Sequence, residues 1–214
     1  MFKNRLESGY LLANELKKLK EKNKGLFNNS LIVAIPRGGV EVAFPICKEL
    51  NIPIKLLISK KISHPEDEEF AIGSFVDEKH FIIENLNEMK LFNIANLIQK
   101  TKEKVETYKN RYKDFILKKE EIKEKTIILV DDGMATGNTI LLALKYLKEN
   151  HAKFIILAVP CAHEEAILKV HNLVDYLIVL FVSNSSFFAI SMCFEDFHQL
   201  SDKEVLKYLK TCQE

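Results

Sequence analysis

The chain is predicted to be an α/β protein with a mostly parallel sheet flanked by helices. Three observations lead there. Short, almost purely apolar runs at 31–35, 54–58, 126–130, 154–159 and 176–182 suit strands covered on both faces. Segments with apolar residues at helical spacing separate several of these runs. Glycine is scarce and placed where runs end: of seven glycines, four fall in Gly38-Gly39 and Gly133/Gly137. Those glycines suit backbone that approaches a ligand closely, or simply ordinary strand-to-helix turns.

In chain order, 6–20 reads as a helix, because Leu11, Leu12, Leu16 and Leu19 recur at helical spacing with lysines opposite. The strand at 31–35 ends on Pro36-Arg37-Gly38-Gly39, and 40–50 reads as a helix that Pro45 kinks or delays. The strand at 54–58 is apolar but for Lys55 and runs into a polar stretch, 59–69, read as a loop. Runs at 72–76 and 80–83 flank Asp77-Glu78-Lys79 as a hairpin. Residues 91–119 form a long charged helical region with Ile94, Leu97, Ile98, Val105, Tyr108, Tyr112 and Ile116 inward. Strand 126–130 and helix 138–149 follow, then strand 154–159, helix 164–170 and strand 176–182. Past Ser183 the pattern is irregular through Phe197, until Ser201-Asp202-Lys203-Glu204 sets a capping box for a last helix ending near Leu209.

Composition narrows the function classes. A net charge of +1 gives no general reason to bind nucleic acid or a membrane surface. The longest apolar runs are too short to span a bilayer, and 1–10 already carries Lys3, Arg5 and Glu7, unlike a signal peptide. Cys47, Cys161, Cys193 and Cys212 are scattered without a C-x-x-C pair, which fits a reducing cytosol rather than a zinc ribbon or redox motif. The expectation is a cytoplasmic protein with no nucleic-acid or membrane partner.

The chemistry concentrates at 127–139, "IILVDDGMATGNT". Four apolar residues run into two adjacent carboxylates, an unfavourable arrangement unless a cation, hydroxyls or backbone donors meet them. The loop and helix start that follow make an anion cradle, with backbone N–H groups pointing outward at the positive end of the helix dipole. Ala135, Gly137 and Asn138 let the loop fold close, and Thr136 and Thr139 add hydroxyls. Asp131 and Asp132 can accept from a sugar diol or hold a hydrated magnesium ion. A phosphate on one side and a diol on the other describe a ribose 5-phosphate. Neither G-x-G-x-x-G nor a Walker loop is present, and a receiver-domain acid pair would lie nearer the start of the chain.

"VDDGMATGNT" (130–139) resembles the phosphoribosyl pyrophosphate (PRPP) motif of the type I phosphoribosyltransferases. The resemblance extends to a bacterial group of phosphoribosyltransferases of undefined acceptor. It is carried by Phe2, Arg5, Gly9, Leu12 and Ala13, by "IPRGGV" (35–40), by "SKKISHPEDEEFAIGS" (59–74) and by "FEDFHQLSDKEV" (194–205). It implies the type I fold in a single domain over 1–214, with a core at about 26–182 and a hood from about 1–25 and 183–214. It also implies magnesium-dependent transfer of ribose 5-phosphate from PRPP to a small base-like acceptor, with release of pyrophosphate. Asp131 and Asp132 would hold the ribose hydroxyls and, through water, Mg2+. Gly133, Met134, Ala135, Thr136, Gly137, Asn138 and Thr139 would hold the 5-phosphate. Arg37, Gly38, Gly39, Lys60 and Lys61 would receive the pyrophosphate, with Arg37 joining the two acids as catalytic.

Arg37 stands out because every basic residue except Arg5, Arg37 and Arg111 is lysine, although a surface arginine beside a turn would look the same. Lys60 and Lys61 carry less weight for the same reason. Enzymes of this fold that act on hypoxanthine and guanine typically carry an aspartate where this chain has Ala135, which speaks against that acceptor class and leaves adenine and orotate open. Phe187, Phe188, Phe194 and Phe197 serve either as stacking surfaces or as hood core, with core favoured. His64 reads as an exposed histidine, with a proton shuttle as the alternative, while His163 with Glu164, and Arg111 with Tyr112, carry no assigned role. Many relatives are dimers, so a homodimer is admitted without an interface being singled out. The alternative function is a PRPP or nucleotide sensor that kept the cradle and lost transfer; hydrolysis, with water as acceptor, is a third.

Overall fold

The structure, a computed structural model, describes residues 1–64, 66–83 and 93–213, with residues 67–71 described by backbone alone. Its elements run α1 (Arg5–Lys22), β1 (Ser30–Ala34), α2 (Gly38–Leu50), β2 (Ile54–Leu56), β3 (Lys60–His64), β4 (Asp67–Phe75) and β5 (Phe81–Ile83). There follow α3 (Ile94–Arg111), β6 (Thr126–Val130), α4 (Asn138–Glu149), β7 (Phe154–His163), α5 (Glu164–Val170), β8 (Tyr176–Ser183) and α6 (Asp202–Thr211).

The apolar runs assemble into one five-stranded sheet, ordered β2-β1-β6-β7-β8 and parallel throughout. Alternate residues serve opposite faces. Ile32, Ala34, Ile128, Val130, Ile156 and Ala158 pack with α1, α2 and α6, while Val33, Ile127, Leu129, Ile155 and Leu157 pack with α4 and α5. Burial on both faces is why these strands read as continuous apolar runs. From β1 the chain crosses to β2 on one side, and from β6 to β7 on the other. The β1–β6 pair is therefore the switch point, where open α/β sheets bind ligands beyond the carboxyl ends.

Three sequence expectations change. The polar stretch 59–69 is not a loop: it holds β3 and the start of β4, which pair antiparallel, Lys60 with Phe75 and Ile62 with Gly73, and β5 completes a second, three-stranded sheet. Ile62, Ile72 and Phe75 are buried, which supplies the stabilisation that local polarity conceals. The long helical region ends at Arg111; Leu91 and Phe92 lie outside the described residues. Beyond it the chain turns, and the amide of Leu117 donates to Leu56 O at 2.9 Å, so the segment lies against β2 instead of continuing the helix. Finally, α2 begins at Gly38 and runs unbroken through Pro45 to the left-handed cap Asn51.

The hairpin and the last helix form as expected. Asp77 caps the hairpin turn through the amides of Lys79 and His80, and buried His80 places Nδ1 2.6 Å from Asp77 Oδ1 and Nε2 3.0 Å from Glu149 Oε2. Ser201 and Glu204 make the reciprocal capping box of α6. Arg111 and Tyr112 both bond Asp202, tying the end of α3 to the start of α6. The two ends of the chain are strapped together: Phe2 N donates to Cys193 O at 2.8 Å, and Glu195 N returns to Phe2 O at 2.8 Å.

Candidate active site

A cavity of about 420 Å3 opens at the switch point, lined by the ends of β1 and β6, the start of β3 and the start of α4. It contains Arg37, Gly38, Lys60, Lys61, Asp131, Asp132, Gly133, Met134, Ala135, Thr136, Gly137 and Thr139. Thus residues from three separate stretches of sequence meet in one place. Gly39 and Asn138 are not on its wall.

The last residue of β6 is buried Val130, so Asp131 and Asp132 leave the sheet edge directly into the cavity. The amide of Asp132 donates to Asp131 Oδ1 at 2.9 Å, which orients the first carboxylate. Burial pushes Asp131 well above the usual carboxylate range; the neighbouring charge of Asp132 adds to this, while that amide and Arg5 oppose it. Burial raises Asp132 as well, opposed mainly by Arg5. Ionisation of the pair is therefore favoured only where a cation or hydroxyl donors meet it.

Both glycine motifs have a steric cause. A Cβ on Gly38 would lie 1.9 Å from Asp132 Oδ2, and one on Gly39 would lie 2.8 Å from Val130 O. The glycines after β1 thus make room for the acid pair after β6, besides exposing backbone at Gly38. Gly137, the N-cap of α4, has φ +78°, a left-handed conformation that glycine adopts freely. Met134 is fixed by exchange with β7: its amide donates to Cys161 O, and its carbonyl accepts from His163 N. The cradle is thereby anchored to two strands, while Ala135 and Thr136 stay open to solvent.

The basic residues differ in how they are held. Arg37 caps α2, follows a cis Pro36–Arg37 peptide, and its guanidinium is paired with no described residue. Lys60 sits with Nζ 3.3 Å from the centroid of the Tyr108 ring, a cation–π contact that holds it at the rim. Lys61 is exposed on the same strand.

Sequence reasoning singled out Arg5 only within the family resemblance and gave it no place beside Asp132. Arg5, buried at the start of α1, donates from Nε to Asp132 Oδ2 at 2.8 Å and from Nη1 to His198 O at 2.9 Å. Its guanidinium stacks 3.8 Å from the Phe197 ring centroid and lies 3.7 Å from Glu41 Oε2. Two signals were available: the rarity of arginine, and an acid, Glu41, within the otherwise apolar "GGVEVAFPI". Of the phenylalanines, Phe194 is buried and Phe188 and Phe197 pack beside it, whereas Phe187 is 85% exposed. None of the four is on the cavity wall, which Ile190 reaches instead. His163 caps α5 and His64 caps a turn through Glu66 N, both off the cavity wall.

Comparison with known proteins bears on the whole chain. The family model for the phosphoribosyl transferase domain matches residues 11–187. Two Mycobacterium tuberculosis proteins, from strains CDC 1551 and H37Rv and provisionally named phosphoribosyl transferases, are each 26% identical over 212 residues. The match covers 98% of this chain but 46% of theirs, so the chain spans about half the length of these curated relatives. A crystal structure of a Thermus thermophilus protein shares the fold with a TM-score of 0.69 at 24% identity, covering 98% of this chain and 97% of that one.

Proposed function

The chain belongs to the phosphoribosyl transferase family, and from that premise we propose that it moves the 5-phosphoribosyl group of PRPP onto a small nitrogenous acceptor with loss of pyrophosphate. The observation that carries the reading is a single cavity lined by an acid pair, by the α4 N-terminus with Thr136 and Thr139, and by Arg37, Lys60 and Lys61. In this reading Asp131 and Asp132 accept hydrogen bonds from the ribose 2- and 3-hydroxyls and fix the sugar. The amides of the α4 start hold the 5-phosphate. Arg37, planar and paired with no described residue, takes the departing pyrophosphate, and the two lysines add charge from the β3 side. Each role is positional and electrostatic, as suits departure of a highly charged group.

A hydrated magnesium ion fits the acid pair. Two adjacent carboxylates held above their usual pKa attract a cation, yet no group of three or more His, Cys, Asp or Glu among the described residues forms a full cage. That matches an ion that keeps water and binds through one or two carboxylates and substrate phosphates. When bound it would neutralise pyrophosphate charge. Ala135 offers no acid or base to the acceptor, which supports a substrate other than hypoxanthine or guanine.

Calorimetry with PRPP and magnesium, followed by pyrophosphate release across a panel of bases, tests the proposal. Binding plus release with one acceptor supports transfer; binding without release under any acceptor supports the sensor; no binding sinks both. The double variant Asp131→Asn/Asp132→Asn is expected to stay folded and lose PRPP binding, and wild-type affinity in that variant would place the site elsewhere.

A further inference from the structure

Arg5 lies against two acids but bonds only one. Its Nε donates to Asp132 Oδ2 at 2.8 Å, while Nη1 is 3.7 Å from Glu41 Oε2, an attraction too long for a hydrogen bond. Glu41 is 3% exposed on α2, its Oε1 accepts from Tyr208 Oη at 3.2 Å, and its Oε2 has no hydrogen-bond partner among the described residues. A buried carboxylate oxygen left without a donor is unfavourable, so it should have a partner in some state of the protein. Phe197 covers one face of the guanidinium, and Nη1, the atom nearest Glu41 Oε2, also donates to His198 O.

We propose that Arg5 is the positioning residue for Asp132 and has two seats, Asp132 when the cavity is free and Glu41 Oε2 when PRPP draws Asp132 to the ribose. This rests on the reading of the acid pair as the PRPP site. In the free state Arg5 offsets the charge of Asp132 and holds Oδ2, leaving Oδ1 for the ligand. On binding, Asp132 takes hydroxyl partners, and the guanidinium closes the gap to Glu41 and satisfies the orphan oxygen. Glu41 thus lowers the cost of releasing Asp132. Because Arg5 and His198 belong to the strapped ends of the chain, the same contact joins the hood to the site.

The test uses the full chain and PRPP, with and without magnesium, by calorimetry, with melting temperatures alongside. Wild-type binding secures the site reading separately; the proposal then stands or falls on the variants. Arg5→Lys keeps the charge but loses the fork that both seats need, so in that background Glu41→Gln should no longer change PRPP affinity. Glu41→Gln keeps the shape and the Tyr208 bond but removes the second seat, so affinity should fall several-fold while the melting temperature holds or rises. A role in folding alone would lower melting temperature and leave the affinity of the folded fraction unchanged. Wild-type PRPP affinity in Glu41→Gln, or the same fall on Glu41→Gln in the Arg5→Lys background, overturns the proposal.

Discussion

The sharpest perturbation is one methyl group at Gly38. An alanine Cβ there would stand 1.9 Å from Asp132 Oδ2, 2.4 Å from its Cγ and 3.0 Å from Arg5 Nε. The blocking atoms end a side chain, so Asp132 can rotate away, at the cost of its 2.8 Å bond from Arg5. A bond of that kind contributes about 1.5–3 kcal/mol, trimmed slightly because the Asp132 side chain keeps 16% exposure. Alanine in place of glycine in a helix regains about 1 kcal/mol, leaving a net loss of about 0.5–2 kcal/mol, or about 1–8 °C in a chain this size. PRPP binding should suffer far more than stability, because Asp132 no longer faces the ribose. The neighbouring change behaves oppositely: a Cβ on Gly39 meets Val130 O at 2.8 Å and Asp131 Cα at 3.0 Å, backbone that cannot rotate aside. Gly39→Ala should therefore cost about 3 kcal/mol through overpacking alone. Urea unfolding and PRPP calorimetry on both variants decide the matter. A Gly38→Ala protein that binds PRPP like wild type, or is more stable than wild type, would refute the close approach of Asp132.

Two further outcomes concern stability away from the cavity. Burial works to raise Asp77, but the His80 ring and the amides of Lys79 and His80 outweigh it and hold the carboxyl below its usual value. Such a group stabilises above its unfolded pKa, about 3.9, and loses that contribution as pH falls through the depressed folded value. Asp77→Asn should melt below wild type at about pH 5, with the gap closing toward about pH 3; a gap independent of pH would show the contact is not ionic. Tyr112→Phe removes the bond to Asp202 and with it one tie between α3 and α6, so urea unfolding should show a loss of about 1–2 kcal/mol. No loss would mean that Arg111 alone carries the junction.

Most of the fold and the strand-end loops of the cavity were legible because their causes are local. A strand buried on both faces writes its apolar run in consecutive residues, and the cradle at Gly133, Gly137 and the α4 start is contiguous with β6. Strand β3 was hidden because Lys60, Lys61 and Ser63 surround a single buried apolar residue, Ile62, too weak a signal without its partner β4. The stop of the long helix at Arg111 was equally hidden, since the alternative is pairing beside β2, far away in sequence.

What the sequence by itself determined was the strand segments of the parallel sheet, the acid pair with its small-residue loop, and the arginine loop. Each is written in neighbouring residues and needs only the covalent chain to bring it together. Only the tertiary structure decided which groups meet them. Arg5 reaches Asp132 across 127 positions, Glu41 and Phe197 flank that guanidinium, and Lys60 of β3 rests on Tyr108 of α3. Such pairings depend on distances that sequence separation does not encode, and they form only after the apolar faces have packed. The two glycines after β1 join the two levels: scarce and conspicuous in sequence, they owe their place to an acid pair that the sheet brings beside them.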